Sequence, residues 1–140
     1  MRRNRTRKRK GFTLVELLVV IVLISLLAGT VGPRLLRQIG KAKKDLARPK
    51  MTAIESAIDT FYLNCGVFPS NLEELLYCPT GYEDVWTGPY LKPKQLLDPW
   101  DNPFIYIPEG TINPGSYDII SYGADGAQGG TGEAEDIYNE

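Results

Sequence analysis

Hydrophobic residues follow three different rhythms along this chain. From Phe12 to Gly32 the run F-T-L-V-E-L-L-V-V-I-V-L-I-S-L-L-A-G-T-V-G is apolar with almost no interruption. As a helix its 21 residues would cover roughly 31 Å, enough to cross a bilayer core of about 30 Å once. Farther on, Met51, Ile54, Ile58, Phe61 and Tyr62 recur at helical spacing, with Glu55 and Asp59 on other faces, which predicts an amphipathic helix laid against a core. Phe104 to Ile107 and Tyr117 to Ser121 then alternate as two short antiparallel strands would, with Gly110 to Gly115 turning between them.

Proline and glycine punctuate these segments. Pro33 closes the apolar run, where the missing N–H should kink or unwind the helix, and Pro49 predicts a second kink or a restart near Arg48. Asn64-Cys65-Gly66-Val67-Phe68-Pro69 carries a glycine C-cap followed by proline, so the helix should end there. A short helix from Asn71 to Leu76 should follow, and residues 77 to 103, with six prolines and glycines before Pro103, read as loop. The fold class is therefore α+β: a long N-terminal helix packed on a small antiparallel sheet.

Charge changes the picture more than composition does. The total is close to neutral, 16 basic against 17 acidic residues, but residues 1 to 10 carry seven positive charges and no negative one. From Met51 to the end there are only Lys92 and Lys94 against fifteen acidic residues. A domain of that sign does not bind nucleic acid unaided, because phosphate binding is driven by cationic groups. Histidine is absent, which removes the commonest general base and metal ligand. At 140 residues the chain has room for one membrane segment and one small domain, not for two enzyme-sized ones. Cys65 and Cys78 fit neither a redox C-x-x-C nor a zinc site. In an oxidising compartment they would pair, closing a loop worth about 3 kcal/mol in the chain-entropy model; otherwise they are two small hydrophobes.

An ordinary cleaved signal peptide, ending near Ala28 and Gly29, is the plain alternative for the N-terminus. The apolar stretch is too long for it and carries a carboxylate, Glu16, near its start. A charged group costs about 2.5–3.5 kcal/mol at the centre of a membrane helix, less near an end, so Glu16 asks for a partner. Basic residues flank the segment on both sides, seven before it and seven after it from Arg34 to Lys50. The denser, earlier leader charges favour a cytoplasmic N-terminus.

Lys10-Gly11-Phe12-Thr13-Leu14-Val15-Glu16-Leu17, behind a short basic leader and ahead of an apolar run, resembles the processing site of type IV pilins and their relatives. The resemblance implies that a prepilin peptidase cuts between Gly11 and Phe12 and methylates the new amino terminus of Phe12. Residues 1–11 are then a removed leader, 12–32 a transmembrane and assembly helix, and 33–140 a periplasmic domain. A new amine on Phe12 of one subunit could neutralise Glu16 of a neighbour inside an apolar filament, and a buried pair is stable only when both charges are present.

The C-terminal stretch from Ser121 to Ile137 combines glycines with Asp125, Glu133, Glu135 and Asp136. Hard oxygen ligands on a flexible loop suit Ca²⁺. It lacks the EF-hand pattern and has only one faint copy of a calcium β-helix repeat, so the alternative is a flexible acidic tail. Leu97-Asp98-Pro99-Trp100-Asp101-Asn102-Pro103-Phe104, Ser121-Tyr122-Gly123-Ala124-Asp125-Gly126, Gly129-Gly130 and Asp136-Ile137 together look like the C-terminal signatures of the major pseudopilins of type II secretion systems. That resemblance implies one Ca²⁺ held by the Tyr122 carbonyl, Asp125, the Ala127 carbonyl and Asp136, with Glu133 or Glu135 completing the set. It also implies a homopolymer built in the periplasm from an inner-membrane, single-pass pool surrounded by lipid. Its partners would be minor pseudopilins, an inner-membrane secretion platform and the prepilin peptidase, and its task to drive protein export across the outer membrane without chemistry of its own. The runner-up is a type IV pilin of a surface filament. A third reading is a membrane-anchored hydrolase using Glu73/Glu74 or Asp98/Asp101, acid pairs that are more commonly a solvated face.

Overall fold

In a computed structural model, residues 11–139 are described. The chain divides into two compact units between Gln38 and Ile39. One helix, α1, runs Leu14–Cys65 and contributes to both.

In the first unit α1 is apolar and unburied. Every Val, Leu, Ile and Phe from Phe12 to Leu27 is at least 49% exposed, and this part of α1 is long and apolar enough to cross a membrane. Its hydroxyls are satisfied internally: Ser25 donates to the Ile21 carbonyl at 2.8 Å and Thr30 to the Leu26 and Leu27 carbonyls. Such back-bonding lets a polar side chain sit in an apolar helix without an open hydrogen bond.

In the second unit α1 supplies one wall of the core. Ala47, Met51, Ile54, Ile58 and Phe61 are buried at alternating steps of four and three, with Ala57 buried beside Ile58, and they pack with Leu72, Leu75, Leu91, Phe104, Tyr117, Ile119 and Ile137. Tyr62 departs from the expected stripe. It lies a third of a turn beyond Phe61, is 44% exposed, and stacks on Phe68 at 4.7 Å.

The helix is also more continuous than its prolines suggested. α1 continues as helix through both Pro33 and Pro49, so of the expected kink or break at each proline the break does not occur. Each proline removes one backbone donor, but the turns on either side keep theirs and core packing holds the segment around Pro49. Gly66 ends the helix as expected, in the left-handed region at φ 76, with its N–H donating to the Tyr62 carbonyl at 2.8 Å.

A 3₁₀ turn at Leu72–Leu75 follows, capped by Asn71, whose side chain accepts from the Glu74 N–H. The loop region up to residue 103 contains one more 3₁₀ turn, Pro93–Leu96. The sheet is antiparallel with order β1-β2-β3, where β1 is Ile105–Ile107, β2 is Asp118–Ser121 and β3 is Ile137–Tyr138. Ile105 pairs with Ile120 and Ile107 with Asp118, while Ser121 pairs with Ile137. The third strand was not foreseen: two residues are too few to show alternation. Its effect is to return the C-terminal loop to the sheet, so the loop is closed at both ends by β2 and β3.

Candidate functional site

The N-terminal candidate begins outside the helix. Gly11, Phe12 and Thr13 precede Leu14, the first helical residue, and all three are exposed. The Gly11–Phe12 bond is therefore open backbone. An added Cβ at Gly11 would meet nothing within 4 Å, so the chain's own packing does not call for glycine there.

Glu16 finds a partner within its own turn. Its carboxylate accepts from the Thr13 N–H at 2.8 Å and from the Thr13 hydroxyl at 3.0 Å, while the Glu16 N–H donates to the Thr13 oxygen at 3.2 Å. This is a capping box, in which residue and helix end satisfy each other's open donors and acceptors. Thr13 is a functional residue that the reading of the sequence passed over, although T-x-x-E at the head of an apolar run is its signature. Two consequences follow: the carboxylate is placed at the positive end of the helix dipole, and it is held one residue from the atom that would become the Phe12 amine after a cut.

The C-terminal candidate is built by glycines. Gly123, Gly126, Gly129, Gly130 and Gly132 all take left-handed φ values between 64 and 99. At two of them closeness matters as well: a Cβ on Gly123 would lie 2.6 Å from the Glu133 carbonyl, and one on Gly130 would lie 2.5 Å from the Ala134 carbonyl. The loop thus folds its two arms against each other. Asn102 ties it to the sheet side by donating to the Gly123 carbonyl at 2.8 Å, and Asp98, fully buried, accepts from the Trp100 and Asn102 amides and from the Ser121 hydroxyl at 2.6 Å.

The expected ligands separate into two groups. Asp125 accepts from the Ala127 N–H at 3.2 Å. Asp136 Oδ2 accepts from the Gly129 N–H at 2.9 Å and the Tyr138 hydroxyl at 3.1 Å, whereas its Oδ1 is buried with no hydrogen-bond partner. Burial, and then the Asp136 carboxylate beside it, push the Tyr138 phenol up. Glu133 and Glu135 leave the loop for α1. The Glu133 carboxyl packs directly on Gly40, and Glu135 pairs with Lys44 at 2.5 Å. Among the described residues no three acidic or cysteine side chains converge on one point. At Asp136 the donor chemistry fits a hard cation, because a buried carboxylate oxygen with no donor costs about 1–3 kcal/mol and a divalent ion favours such an oxygen.

The cysteines and the other acid pairs take structural places. Cys65 and Cys78 are free thiols, the Cys78 Sγ donating weakly to the Pro79 carbonyl at 3.5 Å. Burial raises the Cys65 thiol, with the Cys78 and Glu74 charges adding to it. Glu74 accepts from the Ser70 N–H at 3.0 Å within a turn cap, and Asp98 accepts the three hydrogen bonds described, so one member of each pair holds local structure in place.

Comparison with known proteins places these features together. Residues 34–140 match the family model described as Type II secretion system (T2SS), protein G, and residues 6–32 match the prokaryotic N-terminal methylation motif. The type II secretion system core protein G of Pseudomonas aeruginosa is 39% identical over 139 residues, covering 95% of this chain and 96% of that protein. The protein of the same name from Vibrio cholerae is 39% identical over 141 residues, covering 97% and 94%. The crystal structure of the major pseudopilin from the type 2 secretion system of enterohaemorrhagic Escherichia coli matches with a TM-score of 0.55 at 25% identity, over 71% of this chain and 87% of that one. With an N-terminal methylation motif on an apolar helix and a domain of this α+β form behind it, the chain belongs to the type II secretion system protein G family.

Proposed function

We propose that this chain is the structural subunit of a type II secretion pseudopilus, anchored in the inner membrane through Phe12–Gly32 and polymerising in the periplasm. The observation that carries the reading is the pairing of an exposed apolar helical segment with a single capped carboxylate, Glu16, in a chain of this family. So much exposed apolar surface is stable only in lipid or against copies of itself. The leader holds the N-terminus in the cytoplasm, prepilin peptidase cuts the open Gly11–Phe12 bond, and the methylated Phe12 amine of one subunit neutralises Glu16 of its neighbour. Growth of the polymer, in concert with minor pseudopilins and the inner-membrane platform, drives export across the outer membrane. Its work is mechanical.

Ca²⁺ belongs to this proposal as a clamp on the C-terminal loop. Asp125 and Asp136 would hold it, with the Tyr122 and Ala127 carbonyls, and Glu133 or Glu135 would join only by leaving Gly40 or Lys44. A metal bound at 100 times its dissociation constant adds about 2.7 kcal/mol to the folded state.

The test of the assembly role is a Glu16→Gln substitution in a secreting strain. Gln keeps the size and much of the capping geometry but carries no charge to neutralise an amine. Cut, membrane-inserted protein without pseudopili supports the proposal; normal filaments and normal export would sink it.

A further inference from the structure

The basic run behind the apolar segment is divided by the fold. On the domain side Lys44 is tied to Glu135, and Lys50 donates to the Leu97 carbonyl at 2.7 Å. On the span side Arg34 and Arg37 are exposed, and the one acidic residue described in their unit, Glu16, is taken up by Thr13; Arg37 makes a local bond from Nε to the Pro33 carbonyl at 3.3 Å. Leu35 and Leu36, between them, are 53% and 67% exposed. We infer that Arg34 and Arg37 bind the phosphate groups of anionic phospholipids in the outer leaflet of the membrane the helix crosses, and so hold the subunit at a fixed depth before assembly.

Position and chemistry both support that occupant. Beyond Gly32 the arginines lie two and five residues on, about 3 and 8 Å at the helical rise, and the headgroup layer on each side of a bilayer is roughly 5–8 Å thick. The two guanidinium groups thus fall within the layer that holds the phosphates, with leucines beside them for the acyl boundary. Guanidinium offers paired donors that match phosphate oxygens. The inference rests on the reading that Phe12–Gly32 spans the bilayer, and adds to it a preference for one class of lipid.

The test reconstitutes the full chain into phosphatidylcholine vesicles and measures its association with spin-labelled phosphatidylglycerol relative to spin-labelled phosphatidylcholine. The leader is the same in every protein compared, so its contribution cancels. The wild type should prefer phosphatidylglycerol, and Arg34→Gln with Arg37→Gln should lower that preference at least about fivefold, the worth of one basic residue near an anionic surface. Arg34→Lys with Arg37→Lys should retain most of it, and added salt should weaken it. An unchanged preference in the double Gln variant overturns the inference. So does a variant that keeps the lipid preference but loses chemical cross-links between subunits, since the arginines would then serve a second copy. If the wild type does not float with the vesicles at all, the membrane reading fails first and the inference with it.

Discussion

Asp118 is buried at the end of β2, and its two oxygens collect five hydrogen bonds from Thr111, Ile112 and Asn113. Burial by itself would raise its carboxyl, but the amides of Ile112, Asn113 and Thr111 outweigh it and hold the group below its ordinary 3.8. A depressed folded pKa contributes stability that is complete above 3.8 and is lost as the pH falls through the folded value. Asp118→Asn, which puts a donor among donors, should cost about 1–3 kcal/mol in denaturant unfolding at neutral pH and remove that acid slope; an unaltered slope would assign it to another carboxylate. Thr13 and Glu16 separate two roles at the same scale. Thr13→Ala loses the cap, about 1 kcal/mol of helix stability, yet keeps the charge, so it should still assemble where Glu16→Gln does not. Equal loss of filaments in both variants would mean the cap, not the charge, is what assembly needs.

At the scale of elements, α1 and the C-terminal loop make opposite cases. Pro49 stands in a helix that continues past it, at an exposed position, so Pro49→Ala should restore a backbone bond and raise stability by about 1–3 kcal/mol; a fall in Tm would show that its ring packing matters more than the missing donor. The core face of α1 was legible because Met51, Ile54, Ile58 and Phe61 repeat over three turns, and the strand pair because Phe104–Ile107 and Tyr117–Ser121 alternate. β3 was not, since Ile137 and Tyr138 pair through backbone groups whose partners are set by the return of the loop. The loop's glycines and acids were legible as a set, and its aspartates stay within it. That Glu133 would rest on Gly40 and Glu135 on Lys44 was not, because contacts so far apart in the chain, 91 residues for Lys44 and Glu135, depend on how the loop closes. Ca²⁺ should raise Tm and protease resistance, and Asp125→Ala should abolish the gain; identical behaviour with metal and with chelator would leave the loop without its proposed cation.

Over the whole molecule, charge and hydrophobicity are both segregated along the chain. A basic N-terminal stretch, an apolar helix that is exposed among the described residues, and an acidic C-terminal part fit the proposed subunit, one that enters a membrane and then leaves it for a polymer of itself. The family match carries that picture to a secretion system, and the proposed cut between Gly11 and Phe12 would join its two halves, because it would create the amine that Glu16 is proposed to meet. The intact mass of the chain recovered from isolated filaments tests this most directly. The account predicts a subunit that begins at Phe12 and carries one additional methyl group on its amino terminus; a subunit that retains residues 1–11, or begins after Ala28, would contradict it.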